Sequence, residues 1–152
     1  MTALPLARSS IDLDFSAASA EEVLYRLAEL LSEVSGQTVD NIVRALRERE
    51  SQGSTALGLG VAVPHARMEQ LSGIAMAALR AHTPVAFGAP DGLPVRLFVA
   101  LLVPQSAQSE HLELLSQIAS RLGSENSRLA LLTASSPEQF FDLLVQDAAI
   151  AS

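Results

Sequence analysis

Hydrophobic positions along the chain change period twice, and the changes divide it into helical, extended and again helical stretches. Ser19 with Glu22 three residues on is a capping-box pattern, and Val23, Leu27, Leu30, Leu31 and Val34 then recur at helical spacing up to Gly36. A second helix is predicted from about Thr38, with Val39, Ile42, Val43 and Leu46 on one stripe and Gly53 as its end. Arg47 and Arg49 stand near the C-terminal end of that helix, where the dipole favours positive charge.

The middle of the chain holds short apolar runs at 61–63, 74–79 and 97–103, bounded by Gly, Pro or charge, which read as buried strands. Residues 84–87 are expected to add a further strand, turned by Gly88-Ala89-Pro90-Asp91-Gly92 into the strand that starts near Val95. After Pro104 the helical period returns with His111, Leu115, Ile118 and Leu122 on one face and Gly123 as C-cap, with Ser106 and Ser109 as candidate N-caps. A short helix over 128–132 follows. The last helix opens on Ser136, Pro137 and Gln139, and buries Phe140, Phe141, Leu144 and Val145. Ile11, Leu13 and Phe15 alternate with period two, which makes residues 2–18 a candidate edge strand, while 1–10 can equally be a flexible segment.

Strands grouped in the middle, with helices before and after, imply an α/β fold: a single three-layer domain over 1–152 whose mixed parallel and antiparallel sheet is flanked by helices. With 152 residues, 49% of them hydrophobic, the chain suffices for one well-packed core. Apolar runs stay below the roughly 18 residues that a membrane span needs, and no secretory signal is evident in the first residues, so a cytoplasmic protein without membrane insertion is expected. The absence of cysteine removes disulfides, thiolate metal sites and thiol nucleophiles, leaving oxygen or imidazole for any covalent chemistry. A formal charge of -7 disfavours nucleic acid as a partner, since phosphate neutralisation needs clustered Lys and Arg.

Chemistry concentrates in Gly53-Ser54-Thr55-Ala56-Leu57-Gly58-Leu59-Gly60-Val61-Ala62-Val63-Pro64-His65-Ala66-Arg67, which holds three of the eight glycines ahead of a strand that Pro64 should end. A strand end displays the next side chain, here His65, where ligands bind in open sheets. On position alone His65 reads equally well as an ordinary loop histidine, Arg49 as a solvated helix-end charge, His111 as a half-buried helix residue and Thr55 as a turn or cap. His82 lies in a turn-rich stretch and reads as surface; the Asp91-Gly92 pair is a turn signal before it is anything catalytic.

The glycine-containing loop, Thr55 and Pro64-His65-Ala66-Arg67 resemble the phosphorylation-site signature of the fructose/mannitol class (type 2) of enzyme IIA domains of the phosphotransferase system, most of all its nitrogen-regulatory members. The likeness extends to Leu46-Arg47-Glu48-Arg49-Glu50, to Asp91-Gly92-Leu93-Pro94-Val95, and to Leu101-Leu102-Val103-Pro104 followed by His111-Leu112-Glu113-Leu114-Leu115. The resemblance implies that His65 accepts a phosphoryl group through Nε2, that His111 and nearby amides contact the phosphate, that Arg49 (with Arg47 competing for the role) compensates charge, and that Thr55 orients the site.

It implies an HPr-like phosphodonor, a downstream regulated protein or an enzyme IIB as partner, and no metal or organic cofactor. A nitrogen-type regulator is favoured over a sugar-specific protein because no membrane, enzyme IIB or HPr-like domain is appended, although Leu59 stands where nitrogen-type members often carry a polar residue. Against these stand a binding module that keeps the fold without being phosphorylated, and a metal hydrolase using His65, His82 and His111, which lacks helical ligand spacing and clustered carboxylates.

Overall fold

A computed structural model describes residues 6–106 and 108–150. The order of elements is β1 (Leu6–Phe15), α1 (Ala20–Ser35), α2 (Val39–Ser51), β2 (Ala56–Gly58), β3 (Val61–Ala62), β4 (His65–Met68), β5 (Ala75–Val85), β6 (Val95–Pro104), α3 (Gln108–Leu122), α4 (Glu125–Thr133) and α5 (Pro137–Ile150). The sheet runs β1-β5-β6-β3-β2, with β4 also on β6. β1 is parallel to β5, β5 antiparallel to β6, and β3 and β4 parallel to β6, so the sheet is mixed as the strand grouping predicts.

Alternation along the central strands sorts the core into two. Ala75, Ala77 and Leu79 of β5 and Phe98, Ala100 and Leu102 of β6 face α1 and α2, which supply Val23, Leu27, Leu31, Ile42 and Leu46. Met76 and Ala78 with Leu97, Val99, Leu101 and Val103 face the other way, against Leu114, Ile118, Phe140 and Leu144. Both faces of β6 are therefore covered, which is why its sequence is a continuous apolar run rather than an alternating one. The result is a three-layer α/β/α arrangement.

Local signals in the sequence account for the helix ends. Ser19 accepts from the N–H of Glu22, Thr38 from Asn41 and Ser136 from Gln139, and Gly36 closes α1 in the left-handed conformation. The Glu22 carboxylate reaches back to the N–H of Ala18 rather than of the cap residue itself.

Several expectations need correction. Residues 84–87 do not form a separate strand: β5 continues to Val85, which pairs with Val95, so the hairpin is made by one long strand. Residues 6–10 belong to β1, so the flexible segment considered for 1–10 does not include them; residues 1–5 lie outside the described residues. Ser109 lies inside α3 and is no cap, and residue 107, just before the helix, lies outside the described residues. Val34 is exposed rather than part of the buried stripe. α4 starts three residues earlier than the 128–132 pattern suggests, capped by the Ser124 side chain on Ser127 N–H.

Candidate functional site

Pro64 does not end the strand that holds it; it interrupts it. Val61 and Ala62 pair with Leu97 and Phe98, and His65 to Met68 pair with Leu101 to Pro104, in one unbroken register. Pro64 accepts from the N–H of Leu101 at 3.0 Å but has no N–H of its own to give, so the ladder breaks at that residue and resumes as β4. His65 thus opens a strand instead of following one, and β4 pairs only with β6 among the described strands.

Val61 and Val63 pack on the α3 side of the sheet and Ala62 and Ala66 on the α2 side. The same alternation turns His65 towards α3, where the ring of His111 lies 5.2 Å away, centroid to centroid, at 60°. His111, in the first turn of α3, is only 6% exposed, and neither ring nitrogen has a hydrogen-bond partner. A cavity of about 490 Å³ opens over both imidazoles, lined also by Arg49 and Gln52 from the end of α2, by Arg67 of β4 and by Gln105.

The His65 Nδ1 lies 2.8 Å from the Val63 carbonyl. A carbonyl only accepts, so Nδ1 carries the proton and donates it, which leaves the lone pair on Nε2. Burial holds the His65 pKa below its ordinary 6.5, and the charges of Arg49 and Arg67 push the same way, against the Val63 carbonyl and Glu50. His111 is also lowered, chiefly by burial and then by His65, Arg67 and Arg49. At neutral pH the pocket therefore offers two neutral imidazoles beside two arginines and one carboxylate, Glu48, a lining whose net positive charge suits an incoming anion.

Other residues singled out by the sequence fall around this centre or away from it. Arg49 donates from Nη1 to the Gly53 carbonyl at 2.9 Å, which fixes its base while leaving further donors of the fork. Arg47 does not line the cavity: it is exposed and pairs with Glu21, beside a different depression that includes Phe87. Thr55 is buried and does not line the cavity; its hydroxyl and its N–H both donate to the Glu50 carboxylate.

Asp91 serves a turn. It accepts from the N–H groups of Leu59 at 2.8 Å and Leu93 at 3.0 Å, and these bonds hold its carboxyl below the usual range. His82 is exposed and bonds to Asp14 at 2.5 Å. It lies six residues along β5 from Met76, which is level with His65 across the sheet, so roughly 20 Å separates the two. The three histidines are not brought together, and no group of potential metal ligands occurs among the described residues. Sequence reasoning missed Gln52, Gln105 and the place of Arg67; of these only Arg67, two positions beyond His65 within the quoted motif, carried a signal.

Residues 5–147 match the family described as "Phosphoenolpyruvate-dependent sugar phosphotransferase system, EIIA 2". The chain belongs to that family, and with membership comes the phosphocarrier role of its enzyme IIA components. A nitrogen regulatory protein of Pseudomonas aeruginosa is 40% identical over 126 residues, 82% of this chain and 79% of the relative. The crystal structure of the nitrogen regulatory protein IIA-Ntr from Neisseria meningitidis superposes with a TM-score of 0.89 at 38% identity, covering 92% of this chain and 96% of that one. A fructose-specific EIIA component of Haloferax volcanii is 34% identical over 70% of each chain. No helix among the described residues is long and apolar enough to cross a membrane.

Proposed function

We propose that the chain accepts a phosphoryl group on His65 Nε2 from an HPr-like phosphohistidine protein and regulates partner proteins according to its phosphorylation state. The observation that carries this reading is the Nδ1–H bond to the Val63 carbonyl, which commits the ring to the tautomer whose lone pair is on Nε2. In the transfer, the Nε2 lone pair attacks phosphorus, the bond from phosphorus to the donor's imidazole breaks, and the electron pair of that bond returns to the donor ring. His65 keeps its Nδ1 proton throughout.

His111, the amides at the start of α3 and Arg49 contact the phosphoryl oxygens; a buried imidazole without partners and a helix N-terminus both suit a dianion. The nitrogen-regulatory relatives favour a signalling role, in the cytoplasm, over sugar transport. A second reading, a sugar-specific protein that passes phosphate to an enzyme IIB, is favoured by the likeness to a fructose-specific component.

Incubation with enzyme I, an HPr-like carrier and phosphoenolpyruvate, followed by intact-mass measurement, tests the proposal. Wild type gains one phosphoryl group, His65→Ala none, and His111→Ala gains it more slowly or passes it on less well. Equal labelling of His65→Ala, or an unlabelled wild type with several donor pairs, would overturn it. Adding an enzyme IIB of the fructose class separates the two readings, since only the second predicts onward transfer to it.

A further inference from the structure

Thr55 and Val63 face each other one step beyond the Ala56 and Ala62 pair of the β2–β3 hairpin. Opposed residues of this kind in an antiparallel ladder exchange two hydrogen bonds, one in each direction. Here one is made: the Val63 N–H donates to the Thr55 carbonyl at 3.1 Å. The Thr55 N–H turns instead to Glu50 Oε2 at 3.2 Å, and the Thr55 hydroxyl donates to the other oxygen of the same carboxylate. The Val63 carbonyl, relieved of its usual donor, receives Nδ1–H of His65.

We propose that Glu50 is a positioning residue: by diverting the Thr55 N–H it reserves the Val63 carbonyl for His65 and so keeps the reactive lone pair on Nε2. Buried backbone donors must be satisfied, and an ionised carboxylate is a stronger acceptor than a carbonyl, so Glu50 wins the Thr55 N–H. Its location has no other helical rationale, because a carboxylate in the last turn of α2 opposes the helix dipole. Arg49, its neighbour, holds Gly53 two residues before Thr55. Adjacent residues of α2 thereby fix the strand entry that leads to His65. Without Glu50, the Thr55 N–H returns to the Val63 carbonyl, the imidazole loses its exclusive acceptor, and the tautomer with the proton on Nε2 becomes populated. That tautomer turns its lone pair to Val63 and cannot attack a donor in the cavity.

The inference rests on His65 being the acceptor, but its measurement needs no phosphate. Imidazole nitrogen shifts of the full chain labelled with ¹⁵N-histidine, recorded above the titration of His65, report the tautomer directly. Wild type is expected as the Nδ1–H form alone; Glu50→Ala is expected to populate the other form and to slow phosphoryl acceptance several-fold. Glu50→Gln, which offers Thr55 one neutral carbonyl in place of two carboxylate oxygens, is expected to fall between wild type and Glu50→Ala in both. An unchanged tautomer in Glu50→Ala overturns the proposal, as does a Gln variant further from wild type than the Ala variant. If Glu50→Ala does not fold, wild type decides through the hydrogen-bond scalar coupling of the Thr55 amide nitrogen: it must run to the Glu50 carboxylate carbon, and a coupling to the Val63 carbonyl instead overturns the idea. A wild type that is never phosphorylated sinks the functional reading and leaves the tautomer result standing.

Discussion

His65 and Arg49 are the residues on which the proposed chemistry turns, and each carries a separate expectation. Arg49→Ala removes a charge-assisted donor from the place where phosphoryl charge is proposed to sit, and loss of one such group slows transfer by about 100-fold. Single-turnover transfer from a phosphorylated HPr-like donor measures it, with Arg49→Lys expected in between because a point charge keeps the sign but not the fork. Acid should affect the molecule in a related way. Both imidazoles have pKa values below 6.5 in the folded chain, so the unfolded chain binds protons first as pH falls. Stability is fully present above pH 6.5 and is lost on the way down from there towards the lowered folded values. Urea unfolding at pH 7.5 and below 6 should show wild type losing more stability than His111→Gln, whose amide does not titrate. The Asp91 carboxyl, lowered from 3.8, acts only in more acid solution and does not blur that comparison.

Among the elements, the turn between β2 and β3 is the most strained. Gly58, Leu59 and Gly60 all have positive φ, at 88°, 59° and 79°. Glycine adopts this freely, and at Gly58 an added Cβ would also lie 3.1 Å from an Asp91 oxygen. Leu59 has no such licence; it is 57% exposed, and the Asp91 carboxylate on its N–H holds it there. Left-handed backbone costs a branched residue on the order of 1 kcal/mol, and asparagine tolerates it better. Leu59→Asn should therefore raise stability by about 0.5 to 1 kcal/mol, read from denaturant midpoints, while Asp91→Ala should lower it.

The elements also show where sequence was readable. Caps at Ser19, Thr38 and Ser136 and the apolar runs of β5 and β6 are local signals, so they appear in the chain as written. β3 was readable as the apolar run 61–63, whereas β2 and β4, three and four residues long, exist only by pairing with β3 and with β6, a long-range fact invisible to periodicity. For the same reason the role of Pro64 was misjudged: a proline signals a break but not whether pairing resumes beyond it. His65, His111 and Arg49 were legible through motif and family likeness, whereas Gln52 and Gln105 reach the cavity only by the approach of α2 and α3 from opposite layers.

At the scale of the whole molecule, the sheet separates two helical layers, and the site lies where α2 of one layer and α3 of the other meet at β4. Stability and chemistry are therefore divisible, and Arg80 tests the division. From β5 its guanidinium donates to the carbonyls of Leu131, Leu132 and Ala134 at the end of α4, and to Leu13 of β1. It thus caps the helix and ties it to the edge strand in one gesture. Arg80→Met keeps the aliphatic stem but leaves those half-buried carbonyls without their donor, a loss on the order of 3 kcal/mol. No residue of α4 lines the cavity, and Arg80 is four residues along β5 from Met76, the position level with His65, which is roughly 13 Å. The variant should consequently unfold at lower urea yet accept phosphate at the wild-type rate under conditions where it remains folded. Slower acceptance without a loss of stability would mean that the α4 layer communicates with the imidazole pair, contrary to the separation that the sheet imposes.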